Sequence, residues 1–194
     1  MGFFVYSIQY IPQIIHNIKH KEALTNISVL TQFSIFITTL CDIIVIVGFG
    51  YDWRYAVVAI SYLLGVCIQQ LQITFLSKKV PEIVNLFFII LFAVAMLIIG
   101  SNSELVYKFT EYFILIFNTL FWFPQIYKNY KQERFDGYCL TFLITYSIGS
   151  CLYLLSSFIL SWEMIYQINA VSIIPVILIL LSQKIYYKNA TKAN

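Results

Sequence analysis

Apolar residues fall in seven runs along this chain, with charged or polar residues as punctuation between them. The runs are Gly2 to Ile18, Ile27 to Val47, Trp53 to Leu76, Pro81 to Gly100, Glu111 to Tyr127, Tyr138 to Leu160 and Trp162 to Ile185. Most approach the ~20 residues that an α-helix needs to cross a bilayer. The pattern predicts an all-α membrane protein with seven transmembrane helices. The first run is the shortest. It has no basic residue before it and no small-residue cleavage site after it, so it reads as a span and not as a signal peptide.

Six of the seven runs are not uniformly apolar. Helix neighbours lie three and four residues apart. On that spacing the fifth run carries Asn118, Trp122, Gln125 and Asn129 on one face, and the first carries Tyr6, Tyr10, Gln13 and Asn17. The third run carries Ser61, Gly65, Gln69 and Gln72, the second Thr31, Ser34, Thr38, Cys41 and Asp42, and the seventh Asn169 and Ser172. Unpaired amides are costly in hydrocarbon, so these faces must meet one another or water. They can act as glue between helices or line a path for a solute. Stripes on several helices favour the path. The fourth run differs: between Val84 and Ile99 its one polar residue is Asn85, so most of its surface can face lipid.

One stretch occurs twice. FWFPQIYKNYK begins at Phe121, and YIPQIIHNIK begins at Tyr10. At an offset of 112 residues Pro12 meets Pro124, Gln13 meets Gln125, Asn17 meets Asn129 and Lys19 meets Lys131. Runs one to three (residues 1–79) and five to seven (105–194) therefore read as two copies of one unit, with run four (80–104) as a linker helix that restores the direction of the chain. Proline removes a backbone hydrogen bond and kinks a helix. The glutamine beside it has both donor and acceptor to serve the kinked backbone. Pro12, Gln13, Pro124 and Gln125 are thus candidates for a hinge or gate.

Composition agrees. Of 194 residues 60% are hydrophobic and 11% charged, against about a quarter charged in soluble domains. Mean hydropathy is +0.81. Ten of the twelve Lys and Arg residues fall after runs one, three, five and seven; Arg54 and Lys108 fall on the other side. Positive charge stays cytoplasmic, which predicts the N-terminus outside and the C-terminus inside. Trp53 and Trp162 then begin runs three and seven at the outer interface. The net charge of +3 follows from this topology and implies no nucleic-acid partner.

Catalytic chemistry is not in evidence: there is no nucleophile–base pair, metal cluster or phosphate loop. Cys41, Cys67, Cys139 and Cys151 form no C-x-x-C pair and read as small packing residues. His16 and His20 lie one helical turn apart, but without a carboxylate or thiolate pattern a helix-end role outweighs a metal pair. No metal or cofactor is expected, and the chain is not read as an enzyme.

Two Pro-Gln pairs, each followed by a basic loop and a polar helix start, resemble the PQ-loop repeat family. That family includes the cystinosin-like amino-acid transporters and is related in fold to the SWEET sugar transporters. Asp136-Gly137-Tyr138-Cys139 is similar to the family's acidic-Gly-x-Ser segment, with cysteine in place of serine. In the first copy that segment has become Leu24-Thr25-Asn26-Ile27-Ser28. The resemblance implies two parallel triple-helix bundles around a central pathway, joined by a linker helix in a 3+1+3 plan. It implies alternating-access transport of a small polar solute, an amino acid or derivative first. A SWEET-type sugar transporter or a cargo receptor or scaffold on the same fold are the alternatives. SWEETs carry prolines in their second and sixth helices, and runs two and six here carry none.

The expected solute or proton pathway comprises Asp42, Thr38, Gln69, Asn118, Trp122 and Asn169. Asp42 reads as the sole ionisable side chain well inside a run. It lies about 7–8 Å outward of the midpoint of run two by helical rise. A charge at that depth is expensive and usually serves a pathway, so proton coupling is expected there. Ile, Lys and Asn richness points to a low-GC microbial genome and a bacterial inner membrane.

Overall fold

The computed structural model describes residue 5, residues 8–77, residue 81, residues 83–161 and residues 164–193. Gly2, Tyr6, Lys78, Lys79 and Trp162 lie outside the described residues. Among those described, the regular structure is helical. It comprises α1 (Tyr10–Lys19), a 3₁₀ turn (Lys21–Asn26), α2 (Val29–Gly48), α3 (Trp53–Ser77), α4 (Ile83–Gly100), α5 (Glu104–Leu120), α6 (Phe123–Gln132), α7 (Leu140–Ile159) and α8 (Met164–Ala193).

Five helices are long and apolar enough to cross a membrane: α2, α3, α4, α7 and Tyr166–Tyr187 of α8. Run five does not form a single long helix, and of run one the described residues are 5 and 8–18. Run five starts earlier than the charges imply, at Glu104, because Glu104 and Lys108 pair at 2.7 Å one turn apart and sit comfortably on a helix. It then breaks at Phe121–Trp122 into α5 and α6, with Pro124 in the first turn of α6. Proline is well tolerated there, because the first-turn N–H groups have no intrahelical acceptor. A turn at Gln9, immediately before α1, marks the same position relative to Pro12. With α5 starting at Glu104, Asp42 also loses its singular status, since Glu111 lies two turns inside that helix.

The packing repeats as the sequence does. α2 lies against α3, and α7 against α8; α1 lies against α3, and α6 against α8. Between the copies, α2 meets α5 and α6, and α7 meets α1. α4 packs mainly on α2. Only Phe88 and Ala95 of α4 are buried, and Leu97, Ile89 and Ile83 stand well exposed. That is the surface of a helix facing lipid on most sides.

Close approach is needed at two glycines within these helices. Gly65 of α3 receives the Tyr10 ring, and Gly48 of α2 receives the Tyr107 ring; a Cβ at either would collide with it. The two basic residues outside the main basic end each carry a counter-charge. Arg54 pairs with Asp52 at 2.7 Å, as Lys108 does with Glu104. The Asp52 carboxylate accepts from the Arg54 side chain and from its backbone N–H, and these bonds hold it at about 2.

Candidate functional site

The helix starts decide the geometry of the basic end. α2 begins at Ser28, whose hydroxyl accepts from Thr31 N–H at 3.3 Å. α7 begins at Cys139, whose Sγ accepts from Phe142 N–H at 3.3 Å. Side-chain caps of this kind satisfy an N–H that the helix cannot. Cys139 is therefore a helix cap as well as a packing residue at the edge of the core. The cap residues hold the short segments before them, 25–28 and 136–139, in place.

These two segments touch. A Cβ on Gly137 would lie 2.9 Å from Ile27 Cγ1 and 3.0 Å from both Asn26 C and Ile27 N. Glycine is required because backbone faces backbone. Each segment is clasped by the glutamine of the opposite copy. Gln13 donates to Gly137 O at 2.7 Å and accepts from Cys139 N–H at 2.8 Å. Gln125 donates to Asn26 O at 2.9 Å and accepts from Ser28 N–H at 2.7 Å. Both glutamines are fully buried.

A second layer orients them. Gln13 also donates to Asn17 Oδ1 at 2.7 Å, and Gln125 to Asn129 Oδ1 at 2.7 Å. Asn17 donates to Gln72 Oε1 at 2.7 Å, and Asn129 to Gln183 Oε1 at 2.9 Å. Gln72 returns a bond to Ile14 O at 3.1 Å, and Gln183 to Ile126 O at 3.0 Å. Every amide atom in the two relays has a partner, as a buried polar network requires. The expectation that each glutamine serves the kinked backbone is corrected: both side chains cross to the other copy instead. Pro12 and Pro124, one residue before, set the helix start that aims them.

Beyond these clasps, away from the basic end, lies an aromatic layer. Trp122 is fully buried and donates Nε1–H to Tyr146 Oη at 3.2 Å. Its ring lies 5.2 Å from that of Tyr138 and 6.4 Å from that of Phe142. Tyr10, at the position matching Trp122, packs on Phe142 from the other copy at 5.2 Å. Gln32 donates to Tyr138 Oη at 2.7 Å. Gln69 is fully buried, and neither polar atom of its amide has a partner among the described residues.

The remaining pathway candidates divide by level. Asp42 lies farther from the basic end on α2, within electrostatic reach of Tyr153. Tyr153 stands 111 residues later, at the matching position of α7, and beside Asn169 of α8. No described side chain donates a hydrogen bond to Asp42. Asn169 is buried with Oδ1 unpaired among the described residues. Asn118 is half-buried. Thr38 is buried, but its hydroxyl donates to Ser34 O of its own helix at 2.6 Å. The structure thus brings Asp42 and Asn169 to Tyr153 at one level and Gln13 and Gln125 together at another, with Trp122 in the aromatic layer beyond the glutamines. Sequence reading missed Gln183, Tyr153, Lys128 and Lys184. The offset of 111 that relates Gln72 to Gln183 was the available signal.

A multi-pass helical membrane protein made of two copies of one unit, each closing on the other through Pro-Gln, is what this geometry defines. The family model described as PQ loop repeat matches residues 1–55 and 106–166, one Pro-Gln pair in each. These matches span more than half of the chain, and it belongs to the PQ-loop repeat family. No curated protein matches the chain.

Proposed function

We propose that this protein is a transporter that moves a small polar solute by alternating access. The observation that carries this reading is the closure of one end by two reciprocal clasps. The glutamine bonds in each are neutral, individually worth about 0.5–1.5 kcal/mol, so the closure is firm yet reversible. A purely structural seam in a membrane would be served as well by apolar packing. Asp42, Tyr153 and Asn169, farther from the basic end, are the groups we assign to solute or proton handling.

On this reading residues 1–79 and 105–194 are parallel three-helix units, and 80–104, containing α4, is the linker of a 3+1+3 plan. The α5–α6 pair counts as one broken span, and the first run as another. The basic end is cytoplasmic, with the N-terminus outside and the C-terminus inside a bacterial inner membrane. An amino acid or derivative is the first solute class, and a sugar the second. A thermal-shift screen of purified protein against amino acids and sugars, followed by uptake of the hits into proteoliposomes, tests this. Hits that bind but are not taken up would support the cargo-receptor alternative instead.

A further inference from the structure

The two clasps are built from the same positions but not from the same charges. On segment 25–28, Thr25 O and Ile27 O both accept from Lys128 Nζ, at 2.8 and 2.9 Å. Lys128 lies on α6, so both bonds cross between the copies. On segment 136–139 the matching carbonyls are Asp136 O and Tyr138 O. His16, at the position matching Lys128, faces Asp136 O through Nε2 at 3.1 Å. The shorter imidazole reaches that one carbonyl. Tyr138 O is taken instead by Lys184 Nζ at 2.7 Å, which also holds Phe135 O at 2.6 Å. Lys184 lies on α8, in the same copy as the segment it holds.

We infer that the closure is unequal and opens from one side: segment 136–139 travels with its own copy through Lys184 and leaves α1 first, while segment 25–28 stays clasped to α6 through Lys128. Charged donors make hydrogen bonds roughly twice as strong as neutral ones. Lys128 places two such bonds across its seam. The His16 seam has one ring nitrogen, which donates to Asp136 O as imidazolium or as the Nε2–H tautomer, and one neutral bond, from Gln32 to Tyr138 Oη. This makes His16, Lys128 and Lys184 positioning residues of the gate rather than groups that touch solute.

The chain carries its own reporter. Cys139 caps α7 on the weaker seam, and Ser28 caps α2 at the matching position on the stronger one. One protein retains Cys139 with Cys41, Cys67 and Cys151 replaced by Ala. The other carries S28C in the same background with C139S. Both are reconstituted full-length and treated with a membrane-impermeant maleimide at the basic face. Cys139 is half-buried and Ser28 buried before any opening, so the decisive comparison is a change of latch. Lys128→His should speed labelling of the S28C thiol about tenfold and leave Cys139 within about twofold of its original rate. Lys128→Arg, which keeps charge and reach, should leave the S28C rate where it was. If Lys128→His changes neither rate, or speeds both alike, the inequality is wrong. The inference rests on reading this face as a gate. Failure to label either thiol in the unmodified latch would overturn that reading, whereas labelling with the wrong response to Lys128→His overturns the inequality alone.

Discussion

Asn17 and Gln72 form a relay that fixes where Gln13 points: Asn17 accepts from Gln13 and donates to Gln72, each at 2.7 Å. Asn129 and Gln183 repeat it for Gln125. Replacing Gln183 by Leu leaves the Asn129 amide and Ile126 O without that partner. A buried polar group so exposed to apolar surroundings costs about 1–3 kcal/mol. Gln183→Leu and Gln72→Leu should each lower the melting midpoint in detergent and reduce uptake, although the hydrogen bonds of both amides stay within their own copy. Thermal unfolding and uptake with wild-type values in both variants would show that the relay does not orient the clasp.

Gly137 makes a separate prediction. The atoms its Cβ would meet include backbone C and N of residues 26 and 27, which cannot swing away like a side-chain tip. Gly137→Ala should therefore part the two segments and cost about 1–3 kcal/mol as overpacking. Labelling of Cys139 from the basic face should rise, and uptake should fall. A variant with unchanged labelling would mean that the two segments do not set the closure.

The clasps themselves are tested by Gln13→Leu and Gln125→Leu. Each removes three hydrogen bonds and leaves a buried backbone carbonyl and N–H of the opposite copy unpaired. Uptake should fall strongly in both, while solute binding by thermal shift remains measurable. Normal transport by both variants would reduce Pro-Gln to structural punctuation.

Much of this arrangement is readable from sequence, and the division has a physical basis. The bounds of α2, α3, α4 and α7 fall within two residues of the apolar runs, because hydrocarbon enforces helix length directly. The pairing of Pro12 with Pro124 and Gln13 with Gln125 follows from identity at fixed offset. The destination of each glutamine does not. Gln13 bonds residues 124 and 126 positions away, which no local periodicity encodes. Thr38 shares a stripe with Asp42, yet its hydroxyl turns to its own helix, a choice available to any helical threonine. Cys139 looks apolar by composition and acts as a cap because α7 starts there. The break at Trp122 is invisible to hydropathy, since apolar residues continue through it.

Orientation is tested by fusions. In a bacterial host a C-terminal fluorescent protein should glow, and a C-terminal alkaline phosphatase should be inactive. Ten of the twelve Lys and Arg residues lie at the basic end, and it is the Lys and Arg count that sets orientation. An active phosphatase fusion would invert every loop and place the clasps on the outside.

Asp42 carries the last prediction. It sits on α2 within electrostatic reach of Tyr153, at the matching position of α7, which in turn lies beside Asn169. One copy thus supplies an acid where the other supplies a phenol, and the pair spans the two units. No described side chain donates a hydrogen bond to the carboxylate, so nothing in view offsets the cost of a charge at that depth. A proton can neutralise it, and reloading on the opposite side would couple proton movement to the opening of the clasps. Asp42→Asn keeps the shape and the capacity to hydrogen-bond but cannot bind and release a proton. In proteoliposomes with an inward proton gradient this variant should lose accumulation above equilibrium. Without a gradient it should still exchange internal for external solute at a rate comparable to wild type. Loss of both activities would make Asp42 a structural or solute-binding residue. Retention of gradient-driven accumulation would remove it from the mechanism altogether.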